Sequence, residues 1–520
     1  MRQVVSRAEW GAAGATTLLL IFAFPNFELY PLAWIALVPL LVVIARDPSP
    51  LKAFILGWAT GSVFFYVTCY WLTYSMIHYG GLPTVVAYLL LIPAAVVVGI
   101  FHGFFAALTA LVIRRWGYLA MLLAPIFWTA FEWVRLGVTG QLWNALGYSQ
   151  AYNPYLIQPA KWGGVYVISF FIVALNVVVA LLVIRRTRWT IAAAVLIPLG
   201  IALLMFEGLR VLVVDYVYSV DADIRVVAVQ PNVPMTLVKS TGELNALRER
   251  HVLLSTTALQ TLGDHPGPRI VIWPESPMNF TYASDRSFQE FVANFTRQNH
   301  TSLLFNSLEP APDDGSYNSA LLINEEGRLI SQYDKIRLMP FGEYVPLPQW
   351  LPGASLITGL VGEFTPGSSY TLMPFGNRRA GVFICIESAY PWIARRLTKD
   401  GADVLINISN DGYLGPTAVM RQHLANAIFR AVENGRPVLR VTNSGLTAHI
   451  SSRGAVDDLT KPFTEDVKVW SVDSSYSSDT FYTEHGDLFV QVCAVITLIV
   501  LLTGFRRFSR WARLNPVNPV

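Results

Sequence analysis

Charge is scarce in this sequence. Of its 520 residues, 14% are Asp, Glu, Lys or Arg, whereas 53% are hydrophobic. A soluble domain carries about 25% charged residues, so an ordinary soluble protein is excluded and a membrane protein is expected. The net charge of +3 is too small to argue for a nucleic-acid partner. Cysteine is scarcer still. Cys69, Cys385 and Cys493 lie far apart, which excludes a C-x-x-C pair. There is no H-E-x-x-H, hence no zinc signature, and no Gly-Lys-Ser/Thr phosphate loop. No metal or nucleotide cofactor is expected. The eight histidines are scattered, and His423, on an expected helix, reads as a packing or surface residue.

Long apolar runs are abundant. Crossing about 30 Å of hydrocarbon takes roughly 20 residues. Candidate segments are 9–25, 30–46, 52–75, 84–113, 117–135, 164–184, 189–214 and 486–505. The first has no small-residue cleavage site after its apolar core and does not read as a removable signal peptide. Eight crossings put both termini on one side. Arg2 and Arg7, Arg46 and Lys52, Arg114 and Arg115, Arg185, Arg186 and Arg188, and Arg506, Arg507, Arg510 and Arg513 all fall on that side. The positive-inside rule makes it cytoplasmic. The expected division is a membrane domain over 1–220 with about seven helices, an extracytoplasmic domain over 221–482, and a last helix with a basic tail over 483–520. Glu132 and Arg135 sit at the end of one segment. They suit either a snorkelling pair in an aromatic belt or an intramembrane site. Gly57 and Gly61 match G-x-x-x-G, a weak signal among 36 glycines. Cys69 and Cys493 lie in apolar runs and read as buried small hydrophobes.

From 221 to 482 the texture changes. Short β-like runs at Ile224–Val229, Arg269–Trp273, Ser302–Asn306, Ala320–Ile323, Leu329–Tyr333, Gly381–Cys385, Val404–Ile408 and Val438–Thr442 alternate with helical patterns. Those patterns cover Gly242–Leu262, Ser287–Gln298, Tyr390–Lys399 and Pro416–Glu433. The alternation predicts a layered α/β domain. Ala320–Lys335 reads as a hairpin turned at Asn324-Glu325-Glu326-Gly327. The following stretch, Tyr344–Gly367, is rich in Pro and Gly yet carries Trp350, Leu351, Leu356, Ile357 and Leu360. It reads either as a loop packed on the domain or as a lid that dips into the membrane interface.

Three isolated ionisable residues end β-like runs: Glu275 after Trp273-Pro274, Lys335 after Asp334, and Cys385 after Ile384. A thiol at a strand-to-helix junction is expected near free N–H groups and a positive helix end, which favour thiolate. The three suit acyl transfer. Glu275 can take the thiol proton, Cys385 can attack a carbonyl and hold a thioester, and Lys335 with the Ile386 N–H can stabilise the oxyanion.

The same residues carry a resemblance. Trp273-Pro274-Glu275, Asp334-Lys335 with Pro340-Phe341-Gly342-Glu343, and Cys385-Ile386-Glu387-Ser388 resemble the Glu-Lys-Cys pattern of the nitrilase superfamily. Asn407-Ile408-Ser409-Asn410-Asp411-Gly412 and Arg436-Pro437 with Thr442-Asn443-Ser444-Gly445 extend it. The membrane segments, with Gly147-Tyr148-Ser149-Gln150, narrow it to the bacterial apolipoprotein N-acyltransferases. The resemblance implies a polytopic helical membrane bundle plus an αββα sandwich. Glu275 would be base, Lys335 oxyanion stabiliser and Cys385 nucleophile, with Glu343 and Glu387 in support. It implies a phospholipid acyl donor, typically phosphatidylethanolamine, and as acceptor the α-amine of a diacylglyceryl-cysteine at a lipoprotein N-terminus. It also implies the inner membrane, with catalysis on the periplasmic side. One departure is that Gln230–Leu237 holds no tryptophan where family members can carry one. The alternative is a membrane-tethered amidase of the nitrilase type.

Overall fold

The computed structural model describes residues 5–140, 142–217, 224–235, 240–263, 267–275, 277–312, 315–340, 342–344, 364–472 and 479–514. The candidate lid residues Trp350, Leu351, Leu356, Ile357 and Leu360 lie outside them. The chain divides into two units, one of residues 1–77, 82–210 and 485–520, the other of 78–81 and 211–484.

The first unit is helical. Among the described residues, five helices are long and apolar enough to cross a membrane: Pro50–Thr68, Thr84–Trp116, Tyr118–Thr139, Val165–Ile184 and Arg188–Phe206. Tyr30–Arg46 and Leu488–Thr503 are shorter apolar helices, and Arg7–Ala23 begins in a capping box of Ser6 and Glu9. Helices underlie all eight expected segments, but the third is not continuous. It ends at Thr68, and Leu72–His78 forms a separate helix. The weak G-x-x-x-G signal has a real role. A Cβ on Gly57 would lie 2.5 Å from the His102 carbonyl oxygen, and one on Gly61 would lie 2.7 Å from the His102 ring. Gly99 and Gly103 meet Ser62 and Phe54 as closely from the other side. Small residues let these two backbones approach, and dispersion along the contact holds them.

The second unit is a sandwich of two mixed six-stranded sheets. The strands are β1 (Ile224–Gln230), β2 (Arg269–Ile272), β3 (Ser302–Pro310), β4 (Ser316–Ile323), β5 (Leu329–Asp334) and β6 (Leu372–Phe375). They continue with β7 (Arg378–Ile384), β8 (Val404–Ser409), β9 (Val438–Thr442), β10 (Ala448–Ile450), β11 (Val456–Asp457) and β12 (Asp466–Val472). One sheet runs β12-β1-β2-β3-β4-β5, the other β11-β10-β9-β8-β7-β6. Alternate side chains explain the layering. Val226, Ala228, Ile270, Ile272 and Leu322 face Val382, Ile384, Ile406, Ile408 and Val441 in one core between the sheets. The intervening Val227, Val229, Val271, Leu303 and Phe305 pack with Leu247, Leu259, Phe288, Val292 and Phe295 of the helices Thr241–Thr261 and Arg286–Asn299. Both faces of the central strands are therefore buried, which is why they read as continuous apolar runs. Pro391–Lys399 and Val419–Asn434 lie along β7 and β9 of the other sheet. The order helix, sheet, sheet, helix is the expected αββα sandwich.

Candidate active site

The candidate residues leave the ends of three strands. β2 stops at Ile272, and Trp273 is then pinned by its indole N–H on Ser255 Oγ at 2.9 Å. Two residues later comes Glu275. β5 stops at Asp334, and the Lys335 N–H donates to the Asn318 carbonyl at 2.8 Å. β7 stops at Ile384, and Cys385 takes a left-handed φ of +52°. A non-glycine residue there costs of order 1–3 kcal/mol, a strain typical of a nucleophile turned out of a sheet end.

Glu275, Lys335 and Glu343 are joined directly. The Lys335 ammonium donates to Glu343 Oε1 at 2.8 Å and to Glu275 Oε1 at 3.4 Å. Asn318 Nδ2 donates to the same two oxygens, at 2.8 Å on Glu343 and 2.9 Å on Glu275. Its amide is oriented in turn by Asn306 Nδ2, 2.7 Å from Asn318 Oδ1. The outer oxygens are held by backbone, with the Asn410 N–H on Glu275 Oε2 at 3.0 Å and the Met339 N–H on Glu343 Oε2 at 2.7 Å. Lys335 is 1% exposed. Burial works to strip its proton, but Glu275 and Glu343 outweigh burial and hold it charged, well above the usual lysine range. One buried cation between two carboxylates is a fixed positive charge that no solvent screens.

Cys385 is half-buried and feels these charges. Burial raises its thiol pKa most, Glu275 raises it next, Lys335 opposes, and Asp411 and Glu343 add to the rise. The surroundings favour the thiol over the thiolate, and the expected help from a helix end is missing. The physical reason is local. Cys385–Ala389 is a single 3-10 turn, Tyr390 is extended, and the helix starts only at Pro391, so Cys385 is outside the helix's first turn.

Glu387 serves the turn rather than the thiol. Its Oε1 accepts from the Ile336 and Arg337 N–H groups at 2.7 and 3.0 Å, and its Oε2 from the Ile384 N–H at 2.7 Å. The Tyr333 hydroxyl donates to both oxygens at 2.9 Å. One carboxylate therefore ties the end of β5 to the end of β7. Burial pushes its carboxyl up to about 7, against these donors, which favour the charged form. The Ile386 N–H has no acceptor among the described residues.

Sequence reasoning missed Asn318, and of its two readings of His423, packing or surface, the first holds. His423 is a packing residue with hydrogen-bonded partners on both ring nitrogens. It is 2% exposed, with Nδ1 2.8 Å from Asp411 Oδ1 and Nε2 2.9 Å from the Cys385 carbonyl oxygen. Its helix also carries Gln422, Asn426, Arg430 and Glu433, all buried. Among the described residues no cluster of three His, Cys, Asp or Glu could hold a metal ion.

The family model of the apolipoprotein N-acyltransferase N-terminal domain matches residues 16–178, and that of carbon-nitrogen hydrolase matches residues 225–481. A Geobacter metallireducens apolipoprotein N-acyltransferase is 31% identical, over 97% of this chain and 97% of its own. One from Azotobacter vinelandii is 32% identical, over 86% of this chain and 85% of its own. A solved Saccharomyces cerevisiae member of the nitrilase superfamily is 20% identical, covering 48% of this chain and 90% of that one with a TM-score of 0.37. The likeness to the acyltransferases runs through the membrane helices as well as the sandwich, so the amidase alternative has less support. On these grounds the chain belongs to the apolipoprotein N-acyltransferase family and is a multi-pass bacterial membrane protein.

Proposed function

We propose that Glu275, Lys335 and Cys385 carry out the lipoprotein N-acylation of this family through a thioester on Cys385. The donor is a phospholipid, with phosphatidylethanolamine the candidate. The acceptor is the α-amine of an N-terminal diacylglyceryl-cysteine. Glu275 takes the Cys385 thiol proton as the sulfur attacks the ester carbonyl. The oxyanion that forms is stabilised by the Lys335 ammonium and the Ile386 N–H. As the carbon–oxygen bond breaks, Glu275 returns its proton to the departing lysophospholipid alkoxide. In the second half the amine attacks the thioester, Glu275 takes the amine proton, and the sulfur leaves and regains it. Every proton thus passes through one carboxylate.

One observation carries this reading: the Lys335 ammonium is buried and fixed between the Glu275 and Glu343 carboxylates. Glu343 is assigned the support of Lys335, and Glu387 that of the nucleophile turn. The arginine clusters further support cytoplasmic termini and a periplasmic domain over 221–482. The test is to incubate the enzyme with acyl-labelled phospholipid and no acceptor, then digest it. A hydroxylamine-sensitive acyl group on the Cys385 peptide is expected, and acylation confined to any other residue would refute the assignment. An impermeant thiol reagent on spheroplasts should label Ser284→Cys and spare Ser509→Cys; the reverse would overturn the orientation.

A further inference from the structure

The carbonyl oxygen of Cys385 is held by side chains that take no part in the steps above. His423 Nε2 lies 2.9 Å from it and Asn407 Nδ2 donates to it at 3.4 Å. A carbonyl oxygen only accepts, so Nε2 carries a hydrogen in either charge state of the ring. The opposite nitrogen, Nδ1, is 2.8 Å from Asp411 Oδ1 and 3.1 Å from Arg440 Nη2. Arg440 Nη2 also donates to Asp411 Oδ2 at 2.7 Å, and its Nη1 donates to Asn407 Oδ1. Ser409 Oγ donates to Asp411 Oδ1 at 2.9 Å. The elements that close on this ring are β8, β9, the turn Asp411–Leu414 and the helix Val419–Asn434. His423, Asp411 and Arg440 are 2%, 1% and 0% exposed. Such a buried charged assembly is costly to desolvate, and it reaches the nucleophile turn at that carbonyl.

The peptide that carries this carbonyl also carries the Ile386 N–H. In a trans peptide the two groups point in opposite directions within one rigid plane. Holding the oxygen therefore fixes where the N–H points. The N–H has no acceptor among the described residues, and the φ of +52° at Cys385 is a conformation the backbone leaves unless it is held.

We propose that His423, oriented by Asp411 and Arg440, positions the oxyanion hole by holding the Cys385–Ile386 peptide plane so that the Ile386 N–H stays aimed at the tetrahedral intermediate. His423 is a positioning residue and touches no substrate. The inference rests on the Cys385 thioester reading.

The test separates a reaction that develops an oxyanion from one that does not. Full-length enzyme is measured for acylation of Cys385 by phospholipid, and for alkylation of Cys385 by iodoacetamide, a displacement at carbon with iodide leaving. Leucine at 423 keeps bulk without a donor, and glutamine offers an N–H near the position of Nε2. His423→Leu should lower kcat for acylation by about 10²-fold, the usual effect of losing an oxyanion donor, with KM and the alkylation rate little changed. His423→Gln should recover at least about tenfold of that loss. Unchanged acylation in His423→Leu, an equal loss in both reactions, or no recovery by glutamine would each overturn the proposal. A reading that needs no folded variant is the imidazole 15N spectrum of the wild type, where His423 Nε2 must bear a proton; a bare Nε2 overturns it as well. Wild-type enzyme that alkylates but never acylates at Cys385 would instead refute the thioester reading itself.

Discussion

Both units bury charge, and the partners of those charges differ. In the helical unit, Glu132 Oε1 accepts from the Trp128 indole at 2.9 Å and the Leu146 N–H at 2.8 Å, while Arg135 donates to the Trp143 carbonyl at 2.8 Å. Gln150 donates to the Tyr30 carbonyl, and Asn176 bridges the Leu37 N–H and the Ala33 carbonyl. Apart from the Trp128 indole, these partners are backbone groups in or beside the short turns that join the helices. Without water, such groups must be satisfied from within the protein, so the polar residues there repair the chain. Glu132 and Arg135 do not snorkel: both are buried, they hold the 142–146 turn, and they line a cavity with His102, Phe131 and Asn144. In the sandwich, Lys335, Glu275 and Glu343 satisfy one another, and their summed field falls on a thiol. Two buried charge clusters can thus differ in kind, one holding backbone and the other pairing charge with charge.

The comparison makes predictions of decreasing size. Cys385→Ala should abolish thioester formation and turnover while the protein inserts and melts normally; Cys69→Ala and Cys493→Ala should keep activity. Normal turnover without Cys385 would end the argument for the sandwich as the reaction centre. Next, Lys335→Ala should slow acylation of Cys385 by about 10²–10³, and Glu275→Gln should block the same step. If either variant acylated at the normal rate and failed only in transfer to the amine, its role would have to be moved to the second half-reaction.

The thiol's surroundings give a pH dependence. Burial and the Glu275 carboxylate favour the thiol over the thiolate, so its pKa lies above the ordinary cysteine value of about 8.5. Alkylation runs through the thiolate, and its rate on free enzyme should climb about tenfold per pH unit past pH ~8.5. A plateau near neutral pH would mean that Lys335 dominates after all.

The smallest expected effect on chemistry comes from the helical unit. Glu132→Leu leaves the Trp128 and Leu146 donors unsatisfied, at about 1–3 kcal/mol each, and should lower the melting temperature. Acylation of Cys385 by a short soluble ester, per folded molecule, should not change. A loss of that acylation would show that the buried pair does more than hold backbone.

Much of this was legible from residue pattern. Central strands such as β8 and β9 are buried on both faces, so their apolar runs stand out, and Glu275, Lys335 and Cys385 are conspicuous as isolated ionisable residues at run ends. The strands that escaped are at or near sheet edges. β12 (Asp466–Val472) mixes Asp, Lys and Ser with its apolar residues, and β10 spans only Ala448–Ile450. Neither offers a run long enough to register. Of the surrounding residues, Glu343 and Glu387 came from the family likeness rather than from pattern. Asn318 lies inside a strand and looks like an ordinary polar interruption. The burial of His423 fits the packing reading, but its partners Asp411 and the Cys385 carbonyl are supplied only by tertiary packing.

The most direct test of the central claim is the mass of the Cys385 peptide after wild-type enzyme meets labelled phospholipid in the absence of a lipoprotein acceptor. The account predicts one acyl group as a thioester on Cys385, discharged when a diacylated peptide with a free α-amine is added. Turnover to N-acylated product with Cys385 never acylated, or an acyl group on Cys385 that the amine fails to discharge, would contradict it.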